Sequence, residues 1–309
     1  MADATLLTSA QMATFVARGF LRFDGAVPDE LNQQFLDEAG RPPEAHGEKL
    51  MQAYRRLMAE NRIPAVAAGV PLAEAYAPGT AIARLLQLAL VRGAIESLVG
   101  PGSRFDHHFL HITFPPAFYE ALGVPNRSQH NHQDSTIDLR RAFDLQIMYF
   151  PHDVTHAMGG TRFIPGTHLR KVSEAAIARY QNVLGQQHVV CPAGTLLFLH
   201  HGMWHGGGVN RSDRVRYMFK IRINPTVRQS RLWDTSDLPG DGRQRPIFFV
   251  KDAPDPNDVH HILTKDEPWF EADTGRLEYI NRIKLWRYLL GDDTFDADYW
   301  LTRIENEPA

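Results

Sequence analysis

Between residues 104 and 226 the chain breaks into short apolar runs, and this pattern constrains the fold more than any other feature. "RFDHHFLHITF", "FDLQIMYFP", "TRFIPGTH", "QHVVCPAGTLLFLHH" and "RVRYMFKIRINP" are each rich in β-branched or aromatic residues. Gly, Pro and Asn separate them. Helical spacing is nearly absent from this stretch; the exception is "SEAAIARYQNVLG". Parallel α/β sheets need a crossover helix between successive strands, so many short strands joined by turns predict a sandwich or barrel. The expected class is mainly β with flanking helices.

The flanks read differently. "TSAQMATFVARGF" offers Thr8 or Ser9 as an N-cap, with Met12, Phe15 and Val16 on one face. "VPDELNQQFLDEAG" starts at Pro28 and Asp29, carries Leu31, Phe35 and Leu36 inside, and stops at Gly40. Between these, "GFLRFDGAV" predicts a short strand and turn. "EKLMQAYRRLMAEN" and "AIARLLQLALVRGAIESLVG" continue the helical period, the second running unbroken to Gly100. Beyond 226 the chain is rich in Pro, Asp and Arg until a last amphipathic stretch, "LEYINRIKLWRYLLG". No linker divides the 309 residues, so a single domain is expected. It has a helical part over about 1–100, a β core over about 104–226 and a C-terminal extension over about 227–309.

Within the β region, "SQHNHQDSTI" places His130, His132 and Asp134 on alternate residues, one face of an extended chain. An isolated H-x-D also suits a surface strand, or a histidine paired with a carboxylate. A metal needs donors converging from separate elements. The sequence has one cysteine, Cys191, and it does not lie near this motif. The histidine-bearing segment "FLHHGMWHGGGVN" is the source of a third ligand. Two histidines and a carboxylate on one face of an iron leave the opposite positions open for oxygen and an organic co-substrate. Farther on lies Arg216, whose guanidinium can clamp a carboxylate in two-point fashion.

In "HQD" at 132–134, "GGTRFIPGTH" at 159–168 and "GTLLFLHHGMWHGGGVNRSDRVR" at 194–216, the chain resembles the phytanoyl-CoA dioxygenase family of Fe(II)- and 2-oxoglutarate-dependent oxygenases. "GFLRFDGAVPDELNQQF" is similar to the opening strand and helix of that family. The resemblance covers roughly residues 10 to 225 and is patchy between 40 and 125. It implies a double-stranded β-helix, a cupin-like jelly roll, with Fe(II), 2-oxoglutarate and O2. By position it implies His132, Asp134 and His205 as iron ligands. Arg216 would then hold the distal carboxylate of 2-oxoglutarate, with Thr161 and Gln146 at further co-substrate positions. His205 is preferred over His200 and His201 because "HGGGVN" follows it, with Arg216 at the expected distance. Halogenating relatives carry a small residue where this chain has Asp134, so the resemblance implies hydroxylation or another C–H oxidation.

A non-redox divalent-metal hydrolase or isomerase on a cupin-like barrel would use the same His/Asp/His set, but has no need of Arg216 and Thr161. His130, His201 and Trp204 are expected around the substrate. His107 and His111 share a strand face as core or substrate contacts. "GGG" at 206–208 lacks the residues of a phosphate loop and is expected to form a tight turn. A net charge of −3 shows no bias towards nucleic acid or an anionic membrane. The expected partner is a small molecule. With one cysteine, no leader-like N-terminus and no apolar run long enough to cross a bilayer, the expected setting is the cytoplasm.

Overall fold

The computed structural model describes residues 4–41, 50–134, 143–169, 177–178, 185–227, 232–237 and 291. The helices expected over "SEAAIARYQNVLG" and "LEYINRIKLWRYLLG" fall largely outside them.

The N-terminal part forms α1 (Ser9–Arg18), β1 (Phe20–Phe23), α2 (Asp29–Ala39), α3 (Leu50–Glu60), α4 (Ala81–Gln87) and α5 (Ala89–Val99). Thr8 caps α1 in a reciprocal box: its hydroxyl accepts from the Gln11 N–H, and the Gln11 side chain accepts from the Thr8 N–H. Gly19, at φ 77°, ends the helix in the left-handed conformation. The expected unbroken helix to Gly100 is corrected to two. Leu88 is extended (ψ 134°), and the turn there lets α4 lie on α2 while α5 lies against the sheet. At Gly93 of α5 the N-terminal segment crosses so closely that a Cβ would strike the Thr5 carbonyl. Such a crossing leaves no mark on the helical period.

The β region contributes β2 (Arg104–Thr113), α6 (Pro116–Leu122), β3 (Leu145–Phe150), β4 (Thr161–Phe163), β5 (Gln187–His188), β6 (Thr195–His200), β7 (His205–Gly207) and β8 (Arg216–Asn224). They form a five-stranded sheet, β1-β6-β3-β8-β2, and a three-stranded sheet, β5-β4-β7. Every strand pair in them is antiparallel. The mainly-β, helix-flanked expectation agrees with this.

Period two assigns each side of the larger sheet a job. One face carries Leu145, Ile147, Tyr149, Phe198, Phe219 and Ile221 into a core shared with the helices. Burying each such side chain contributes roughly 1.5–3 kcal/mol. The Tyr149 hydroxyl donates to Asn32 of α2 at 2.6 Å, satisfying the polar tip inside that layer. The opposite face sends Met148, Phe150, Leu197 and Met218 towards Phe163 of β4, Val189 and Met203. On β8 this inner row reads Arg216, Met218, Lys220, Arg222, all buried. A row with three buried cations requires partners, and those partners mark the site.

Candidate metal centre

His132 pairs with His205 through a reciprocal backbone bridge, N–H to carbonyl at 2.9 and 3.0 Å. The bridge places the two imidazoles side by side, with ring centroids 4.4 Å apart. Among the described residues "SQHNHQD" makes this single bridge and no longer strand. Two positions on, Asp134 faces the same way. Its Oδ1 lies 3.3 Å from His132 Nε2, and its Oδ2 lies 3.6 Å from His205 Nε2. One donor atom from each of the three lies within 4.8 Å of the others.

Backbone neighbours set the tautomers. His132 Nδ1 donates to the His130 carbonyl at 3.1 Å, and His205 Nδ1 donates to the Met203 carbonyl at 2.9 Å. A carbonyl only accepts, so in each neutral ring the proton sits on Nδ1 and Nε2 keeps its lone pair. His200 is wired the other way. Its Nδ1 accepts from the Gly202 backbone N–H at 2.9 Å, which in the neutral ring puts the proton on Nε2, the wrong tautomer for ligation through that atom. His201 Nδ1 lies against both the N–H and the carbonyl of Asp144, at 2.7 and 3.2 Å. The donor set of His132, Asp134 and His205 therefore fits a divalent transition metal.

Electrostatics agree with the geometry. Burial alone would raise the Asp134 carboxyl. The His132 hydrogen bond and the charges of His205 and Lys220 outweigh it and hold the group far below the usual carboxylate range. Burial opposes protonation of His132, but in the imidazolium form Nε2–H faces Asp134 and Nδ1–H faces the His130 carbonyl, which lifts its pKa above the ordinary value; a metal would take the place of the Nε2 proton. His205, buried beside the cavity, is pushed down to about 4 by burial.

The triad opens onto a cavity of about 420 Å³ that Arg216, Thr161, His111, Lys220 and Gly206–Gly208 also line. Arg216 is 4% exposed and donates from Nη2 to the Thr113 hydroxyl at 2.8 Å. Its Nε and Nη1 are buried without a hydrogen-bond partner among the described residues. Burial lowers its pKa to about 10, so it remains a cation at neutral pH. His111 Nε2 is likewise buried without a partner among the described residues. Burial, followed by the charges of Lys220 and Arg216, pushes that imidazole down to about 4.

Four expected positions differ. Gln146 is absent from the cavity wall and instead donates to Asp134 Oδ2 at 2.9 Å, because its place on β3 lies beside that carboxylate. His201 is fully buried against the Asp144 backbone, away from the cavity lining. Trp204 is fully buried in the core, its backbone N–H held by the Thr167 hydroxyl at 3.0 Å. His130 is exposed and acts through its carbonyl. The glycines are not a tight turn either. Gly206 and Gly207 lie in β7, where a Cβ on Gly206 would come 2.8 Å from the Gln129 carbonyl.

Sequence reasoning passes over three participants: Lys220, whose Nζ is 2.7 Å from Asp134 Oδ2, together with Arg222 and Asp144. The signal was available in "RYMFKIR". Basic residues at period two in an otherwise apolar strand share the face of Arg216.

Among solved structures, the fold is similar to that of AviO1 from Streptomyces viridochromogenes. The TM-score is 0.50 at 15% identity, covering 73% of this chain and 98% of that one. HygX from Streptomyces hygroscopicus, solved with nickel and 2-oxoglutarate bound, gives a TM-score of 0.49 at 16% identity, covering 76% and 94%. SnoN, a non-heme alpha-ketoglutarate-dependent epimerase from nogalamycin biosynthesis, gives 0.48 at 19%, covering 70% and 81%. No curated protein matches the sequence. The profile of the family described as phytanoyl-CoA dioxygenase (PhyH) matches residues 15–218, more than half of the chain. The chain belongs to the phytanoyl-CoA dioxygenase family.

Proposed function

We propose that the protein is a mononuclear Fe(II)- and 2-oxoglutarate-dependent dioxygenase of the hydroxylase type, acting on a small molecule. In this reading it forms one domain built on a double-stranded β-helix. His132, Asp134 and His205 hold the iron. The observation that carries the reading is the meeting of two features in one cavity: a His/Asp/His set with converging donors, and a buried arginine with unpartnered N–H groups. A hydrolase or isomerase would use the triad but leave Arg216 without an occupation.

When bound, iron with 2-oxoglutarate and O2 supplies an oxidant for a substrate C–H bond, with succinate and CO2 as co-products. The chain's own residues do the positioning. The Met203 and His130 carbonyls aim the two imidazoles. Lys220 and Gln146 keep Asp134 ionised and oriented. Arg216 offers the distal carboxylate of the co-substrate two N–H groups from a rigid plane. Thr161 stands at the same wall. Asp134, as a third protein ligand, supports hydroxylation over halide transfer.

Under anaerobic conditions, Fe(II) followed by 2-oxoglutarate is expected to raise a weak visible charge-transfer band. His132→Ala and Asp134→Ala should abolish it. Arg216→Met should weaken 2-oxoglutarate binding about 10- to 100-fold, the worth of charge-assisted hydrogen bonds, with Fe(II) affinity unchanged. A wild-type protein that shows no band sinks the oxygenase reading.

A further inference from the structure

The three polar side chains around Asp134 come from neighbouring positions of the inner sheet face. Gln146 on β3 lies directly opposite Arg222 on β8, and Lys220 lies opposite Met148, one pleat away. Among the described residues they occupy two of the three oxygens of Asp134, Oδ2 and the backbone carbonyl. Lys220 and Gln146 donate to Oδ2 at 2.7 and 2.9 Å. Arg222 Nη1 donates to the Asp134 backbone carbonyl at 2.6 Å. Oδ1 faces His132 Nε2 at 3.3 Å and takes none of these three donors.

Arg222 is itself held. Its Nε is 2.7 Å from Asp144 Oδ2 and 3.3 Å from Asp106 Oδ2, and its Nη2 is 2.5 Å from Asp144 Oδ2. Asp144 is completely buried, and Arg222 nearly so. One guanidinium thus grips Asp134 and Asp144, ten positions apart in the chain. A buried ion pair gives little net stability compared with apolar residues of the same volume. Stability alone is therefore a weak reason for a cation, its carboxylate and a bond to one chosen carbonyl to share this place.

We propose that Arg222, anchored by Asp144, is a positioning residue for the metal centre. It fixes the Asp134 backbone so that Oδ1 alone is presented to the metal, as a one-oxygen ligand. The inference rests on the reading of His132, Asp134 and His205 as a metal centre.

The test uses Co(II) binding by the full chain, read by chelator competition and by the visible d–d spectrum, beside a urea unfolding midpoint. Arg222→Lys keeps a charge for Asp144, but a single ammonium cannot reproduce the fork that spans both partners. Its Co(II) affinity is expected to fall about 10- to 100-fold, the usual range for groups that orient a ligand. The d–d bands should shift while the urea midpoint stays near wild type. Arg222→Met combined with Asp144→Asn removes both charges together and should give the same loss and shift. Either variant folded with wild-type affinity and spectrum overturns the proposal. Variants that lose folding together with binding assign Arg222 to the fold and overturn it equally. A wild-type chain that binds no Co(II) defeats the metal-centre reading itself, which distinguishes that failure from a failure of Arg222 alone.

Discussion

Histidines at and beside the candidate site differ in what Nδ1 touches. Where it meets a carbonyl, as in His132 and His205, Nε2 becomes a lone-pair donor. Where it meets a backbone N–H, as in His200, Nε2 carries the proton. Burial also makes some of these rings sensitive to acid. His168 is pushed down to about 4 and His201 to about 3, both chiefly by burial. Their folded-state pKa values lie below the unfolded value of about 6.5. As the pH falls through 6.5 the unfolded chain takes up protons that the folded chain refuses, so stability is lost. The loss continues until about 4 for His168 and about 3 for His201. Each ring contributes up to about 1.4 kcal/mol per pH unit in its window. With a chelator present, the urea midpoint at pH 5 should lie clearly below that at pH 7.5. His168→Gln and His201→Gln should each flatten the difference; an unchanged slope refutes the assignment.

At the scale of elements, β7 and β8 position the candidate site by different means. β8 works by alternation, sending Tyr217, Phe219, Ile221 and Ile223 into the helix-facing core and Arg216, Lys220 and Arg222 inward. β7 works by close approach. Gly206 lies so near the 129–130 backbone that an added Cβ would sit 2.8 and 2.9 Å from the Gln129 and His130 carbonyls. The same register brings His132 opposite His205. Gly206→Ala should therefore push β7 away from residues 129–132 and spread the two imidazoles. Metal affinity is expected to drop roughly 10-fold or more, as for other losses of ligand orientation. The melting temperature should fall only modestly, because the contact lies at a sheet end. A Gly206→Ala protein with wild-type Co(II) affinity would show that the approach is not what sets the spacing.

Across the whole molecule, the larger sheet is a partition with a helix-packed core on one side and a smaller core on the other. Cys191 belongs to the smaller core and is tied to Val154 by backbone bonds of 2.8 and 3.0 Å. Burial pushes its thiol up to about 11. At pH 8 so little thiolate exists that reaction with a disulfide reagent should be roughly 100-fold slower than for a free cysteine. Labelling in urea should follow the loss of near-ultraviolet circular dichroism, making Cys191 a reporter of global unfolding. Rapid labelling in buffer alone would mean that the smaller core opens on its own.

The sequence by itself determined the strand runs, because period-two alternation and Gly/Pro punctuation are local properties. It also determined the residue types around which a metal site could form, and the caps of α1. Only the tertiary structure decided the break at Leu88, which depends on packing against α2 and on the crossing at Gly93. Only it distinguished the tautomer of His205 from that of His200, since a ring's tautomer follows from the backbone groups that fold against it. The socket around Asp134 is of the same kind. Gln146, Lys220 and Arg222 are far from Asp134 or from one another in the chain, and strand pairing across β3 and β8 makes them neighbours.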